Sequence, residues 1–212
     1  MTRDLLLCGV VGPPLFILTF LIEGATRPGY SWYRNYVSQL ATGDGGWVQT
    51  VNFLVYGALS LALATGVWRV GPRVLSVVLA IYALGLLVAG VFAADPTLGY
   101  PPGAPTDRTT HGSIHGLAGL IVFSSNAVAC FVAAFRFRTD PRWRGFAPLS
   151  VVAGVAILAL FVASTAVSVA DELGALPNGP TGLLQRVSIA VGSGWIALLA
   201  YRLRRDAPVA RG

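Results

Sequence analysis

His111 and His115 stand four residues apart, a spacing that sets both imidazoles on one helical face, about 6 Å apart along the axis. Such a pair can chelate one divalent metal or present two ring nitrogens to a haem or a substrate. Carboxylates from Asp95 and Asp171 could complete a nitrogen–oxygen site, which makes His111, His115 and Asp95 the metal candidates. The motif lacks the inner Glu of a metalloprotease helix. A plainer reading has His111 capping its helix at the membrane interface while His115 hydrogen-bonds across a bundle. A proton-coupled or substrate-binding histidine is the third reading.

Asp95 precedes Pro96, so it ends a helix, either as a solvated acid or as one turned inward towards His115. Ser164, Ser168 and Asp171 follow spacings of four and three and share a face, forming a polar stripe. Serines in membrane helices more often stabilise packing than act as nucleophiles. Arg186 is expected to pair with Asp171 or to snorkel. A buried carboxylate and a buried imidazole each need a partner, so Asp95 is expected within hydrogen-bonding reach of His111 or His115, with Asp171 or Arg186 nearby. Asp95 and His115 are the catalytic candidates should the chain be an enzyme; the sequence assigns no reaction.

The elements that must position these groups are read from composition. Apolar residues make up 55% of the 212 residues and charged residues 11%, against about a quarter charged in soluble domains. Lipid is the natural solvent for such a chain. Six apolar segments, 5–22, 47–68, 74–94, 111–135, 147–170 and 182–201, each approach the ~20 residues that cross a bilayer as a helix. The first carries Pro13-Pro14 and no A-x-A cleavage site, and is read as an uncleaved helix. The fold expected is all-α, a polytopic six-transmembrane-helix bundle forming one domain over 1–205, with 206–212 as a short tail.

All fifteen basic residues are Arg. Eleven fall on one side: Arg3, Arg69, Arg73, Arg136, Arg138, Arg142, Arg144, Arg202, Arg204, Arg205 and Arg211. Four fall on the other: Arg27, Arg34, Arg108 and Arg186. The positive-inside rule then places both termini in the cytoplasm of a cell whose plasma membrane the chain spans. The arginines form short clusters between apolar runs, not a basic stripe with interleaved aromatics, which argues against a nucleic-acid partner and for membrane lipid. Cys8 and Cys130 lie inside apolar runs and read as packing residues.

Glu23, Asp95 and Asp171 each end an inward-to-outward segment, and Trp68-Arg69, Phe135-Arg136 and Tyr201-Arg202 each end a returning one. Three tandem hairpins around a pseudo-threefold axis would give this pattern, as would any evenly looped six-helix protein. Gly85-x-x-x-Ala89, Gly116-x-x-Gly119 and Gly192-Ser193-Gly194 are expected to allow close helix approach.

Asn35-Tyr36-Val37-Ser38-Gln39-Leu40, Phe92-Ala93-Ala94-Asp95-Pro96 and Thr110-His111-Gly112-Ser113-Ile114-His115 together resemble the bacterial family called domain of unknown function 998. The resemblance covers essentially the whole chain. It implies a bacterial multi-pass membrane protein and points to Ser38, Asp95 and His115, with His111 beside them; it supplies no reaction. A looser similarity is to the alkaline ceramidase and progestin-receptor group of metal-dependent lipid hydrolases. That group has seven helices and a further HxxxH, whereas this chain has no third histidine.

Together these readings lead to an outward-facing polar pocket that binds a lipid, amphiphile or small ligand, lined by Ser38, Asp95, His111, His115, Ser168, Asp171 and Arg186. The alternative is a metal-dependent membrane enzyme acting on a lipid-like substrate. A proton-coupled transporter ranks third, because no acid or histidine lies near the bilayer midplane.

Overall fold

The structure, a computed structural model, describes residues 1–208. Arg211 and the last part of the 206–212 tail lie outside the described residues. Six helices, α1 (Thr2–Thr26), α2 (Trp47–Val70), α3 (Arg73–Val91), α4 (Thr110–Phe137), α5 (Phe146–Glu172) and α6 (Thr181–Asp206), overlap the six apolar segments. Each is long and apolar enough to cross a membrane, and the chain is a polytopic membrane protein.

Each helix packs against its neighbours in chain order, and α6 closes on α1, so the bundle is a ring. Its outer wall is apolar: Leu18, Ile22, Val74, Val91, Leu117, Val152 and Val162 are all exposed. Its interior carries an unusual share of polar groups, with Gln49, Asn52, Ser60, Asn126, Ser164, Ser188 and Ser193 buried. Lipid rewards an apolar exterior and penalises unsatisfied polar groups facing outward. An even number of crossings returns the chain to its starting end, and Arg204 Nε donates to the Arg3 carbonyl at 3.2 Å.

Pro13 and Pro14 sit inside α1 without ending it, as happens in membrane helices whose neighbours re-satisfy the freed carbonyls. Gly9 lets α1 approach closely: a Cβ there would stand 2.7 Å from Ala200 and Leu63. Gly85 plays the expected packing role against Val122, where a Cβ would stand at 2.9 Å. Gly116 and Gly119 do not. A Cβ at either meets nothing within 4 Å, so these glycines mark open space on α4 and not a helix contact.

α3 stops at Val91, short of the expected residue 94. The chain turns extended at Phe92, four residues ahead of Pro96 and so before the residue that the proline itself restricts. The carbonyls left free at that end find a donor in the ring of His115. α4 begins at a proper cap: the Thr109 hydroxyl accepts from Gly112 N at 3.0 Å. The 27–46 segment between α1 and α2 does not loop away. It folds over the end of the ring and contributes a 3₁₀ turn, Val37–Ala41, whose Val37, Gln39 and Leu40 are fully buried.

Candidate functional site

The cap formed by residues 30–41 is fastened from three sides. Arg34 reaches Asp171 on α5 through two parallel bonds, Nε to Oδ2 at 2.7 Å and a terminal nitrogen to Oδ1 at 2.8 Å. Arg186 on α6 donates to the carbonyls of Trp32 (2.7 Å) and Asn35 (2.9 Å) and to the Tyr30 hydroxyl. The first turn of α6 has spare backbone N–H groups, as every helix start does. Gly182 N gives its hydrogen to Arg34 O at 3.2 Å and Leu183 N to Tyr33 O at 3.0 Å. A side chain at Gly182 would collide with the Asn35 carbonyl, so glycine is what lets the cap sit this close. From the α3–α4 loop, Leu98 O accepts from Asn35 at 3.0 Å and Tyr100 O from Gln39 at 3.3 Å.

Two spaces flank this cap. A polar vestibule with about 640 Å³ of water-accessible space lies between the α3–α4 loop and the end of α5. Arg34, Asp95, Arg108, Asp171 and Glu172 line it. A narrower cavity of about 70 Å³ lies within the ring, with Val37 and Ser38 of the cap in its wall. Phe16, Phe53, Leu86, Val122, Phe123 and Ile189 make its walls apolar. Ser38, Tyr82, His115, Asn126, Gln185, Ser188 and Ser193 supply polar groups, none of them a carboxylate, lysine or arginine.

The imidazole of His115 is held at one nitrogen. Nδ1 lies 2.8 Å from Phe92 O and 3.1 Å from Ala89 O. Both partners are acceptors, so Nδ1 carries the hydrogen, and the neutral ring presents Nε2 as a lone-pair acceptor. Nε2 has no protein partner among the described residues. One turn further along the same face is Gly119, whose missing side chain leaves room in the cavity. Asn126 follows on that face, buried at 6% exposure, with its amide oxygen unpartnered. A side chain at Gly192 would strike the Asn126 amide. Opposite, Tyr82 donates to the Tyr56 hydroxyl at 3.1 Å, which lies 3.4 Å from Ser193 Oγ.

The residues singled out from the sequence therefore divide. Ser38 and His115 line the inner cavity. Asp95 and Asp171 line the vestibule. Ser168 is buried on α5, Arg186 clamps the cap, and His111 is exposed with its ring 5.2 Å from that of Phe92. Two expected pairings are corrected. Asp95 does not bond either histidine: its oxygens accept from Thr109 N at 2.9 Å and Thr109 Oγ1 at 2.6 Å. Burial alone would raise the Asp95 pKa, but the Thr109 hydrogen bonds, together with the nearby His115 and Arg108, outweigh it and hold the carboxyl below its ordinary value. Arg186 does not pair with Asp171, because Arg34 reaches that carboxylate first. Among the described residues no three His, Cys, Asp or Glu side chains converge as a metal ion requires, and His111, His115 and Asp95 point to different partners.

In the sequence Arg34 reads as a topology signal and Ser193 as part of a close-packing segment, while Asn126, Tyr82 and Ser188 carry no expectation. An amide deep in an apolar segment was the available signal for Asn126, since intramembrane polar groups are expensive.

Fold and site define a class: a six-helix membrane protein whose ring encloses a small cavity under a fastened cap. The model of the family described as protein of unknown function (DUF998) matches residues 10–202, and the chain belongs to that family. No curated protein and no solved structure matches the chain.

Proposed function

We propose that this protein binds a lipid, amphiphile or small ligand in the cavity beneath the cap, with the vestibule as its approach from the outer face of the membrane. The carrying observation is the make-up of the cavity wall. An apolar slot that also offers Ser38, His115, Asn126 and Gln185 is the usual composition of a ligand site, in which a few placed polar groups fix orientation. The buried Asn126 amide oxygen has no protein partner among the described residues and belongs to this wall, so a ligand donor there would relieve a cost of about 1–3 kcal/mol. The arginine asymmetry supports an outward cap and a cytoplasmic location for both chain ends. The family resemblance supports a bacterial plasma membrane.

Gly119→Leu tests the reading. A Cβ at this position meets nothing within 4 Å, so the new side chain enters the cavity. Wild-type protein extracted from its membrane should carry a small molecule, identifiable by mass spectrometry, that the variant lacks. Identical complements of bound molecules on the two proteins would refute it.

A further inference from the structure

The tautomer of His115 says what the head of the ligand must be. Its Nδ1 hydrogen is committed to the carbonyls of Phe92 and Ala89 at the end of α3. The remaining nitrogen is an acceptor without a protein partner among the described residues, on a ring that is 9% exposed and lines the cavity. A neutral acceptor in an apolar slot is best matched by a donor. The slot contains no arginine or lysine to balance an anion, and no carboxylate to balance an amine. Asp95, in the segment that follows α3, spends both oxygens on Thr109.

From this we infer that the ligand is an uncharged amphiphile carrying a hydroxyl group, whose O–H donates to Nε2 of His115. This inference rests on the reading of the cavity as a ligand site. The hydroxyl oxygen, once bound, is itself an acceptor, and Ser38, Asn126 and Gln185 line the same slot with donors of their own. The hydrocarbon part lies against Phe16, Phe53, Val122 and Ile189. The class comprises neutral lipid alcohols whose hydroxyl end and first carbons enter the slot of about 70 Å³. Fatty acids and amines fall outside it, because either would bring an uncompensated charge into the ring.

The test uses dodecanol, fluorododecane and dodecanoate as probes, with binding to the full chain in nanodiscs followed by equilibrium dialysis. Fluorododecane keeps the length and lacks the donor. Dodecanol should bind about tenfold more tightly than fluorododecane, the usual worth of one buried hydrogen bond, and dodecanoate should not compete. His115→Asn places an amide N–H where Nδ1–H stood and offers nothing in place of Nε2. It should keep α3 capped, and it should bind dodecanol and fluorododecane alike. Gly119→Leu should bind neither. Equal binding of the two probes to the wild type, still abolished by Gly119→Leu, overturns the hydroxyl inference and leaves the cavity reading standing. A tenfold preference that survives His115→Asn overturns His115 as the acceptor. Binding that Gly119→Leu leaves unchanged, or no binding of either neutral probe to the wild type, overturns the inference at its root.

Discussion

Removing Arg34 strands a carboxylate. The Asp171 side chain is 1% exposed and both its oxygens are held by the Arg34 guanidinium, itself 30% exposed, at 2.7 and 2.8 Å. Breaking a buried pair from one side typically costs about 3–5 kcal/mol. Arg34 keeps one edge in the vestibule, so water reaches the pair from that side and the cost falls to about 2–3 kcal/mol. Asp171→Ala should cost less, because the guanidinium, 30% exposed, stays at the edge of the polar vestibule. The double variant, Arg34→Ala with Asp171→Ala, leaves no unpaired charge and should cost less than the sum by about 1–3 kcal/mol. Reversible unfolding in mixed detergent micelles measures all four stabilities. Limited proteolysis adds a local readout: both single variants should be cut faster within 27–46, where the cap loses its tie to α5. Additivity within about 0.5 kcal/mol, with unchanged cleavage of that segment, would show that the pair is a surface contact and that the cap is held by something else.

In a background lacking Cys8 and Cys130, Pro105→Cys should react with an impermeant thiol reagent from outside the cell and Thr139→Cys should not; the reverse would invert the bundle. For Asp95, a folded pKa below the ordinary value means that its contribution is present above about pH 4 and is lost as pH falls through the folded value. Wild type should therefore be more stable than Asp95→Asn at neutral pH and converge with it in acid, and a constant gap in melting temperature across that range would refute the Thr109 account. Gly119→Leu should raise the melting temperature of the ligand-free protein, since it replaces a helix-interior glycine and fills a void, gaining about 1 kcal/mol or more; a lower one would show that the slot cannot hold a side chain.

The six helices were legible because lipid forces long uncharged runs, and few other structures produce them. α3 ends three residues short of the expected position, and the donor that caps its freed carbonyls, His115, comes from another helix and leaves no local signal in the sequence. His115 was found by residue type, and its cap-forming Nδ1 matches the structural reading of a histidine bonded across the bundle. Asp95 was found too, but its partner Thr109 was not. Fourteen positions separate Asp95 from Thr109, and only the fold of the α3–α4 loop brings them together. Arg34 illustrates the deeper limit: in sequence it is one more loop arginine, and 137 positions separate it from the carboxylate that gives it meaning. Gly119 went the other way, read as a packing residue because small residues in membrane helices usually are, when its role is to leave space.

Whether the cavity between the cap and α4 holds a ligand is decided by an experimental density map of the protein prepared in its native lipid. Elongated density is expected between Ser38, Gly119 and Asn126, with its polar end within hydrogen-bonding distance of His115 Nε2. A well-ordered map in which Phe16, Phe53 and Phe123 collapse together and close the slot, leaving density only in the vestibule, would contradict it.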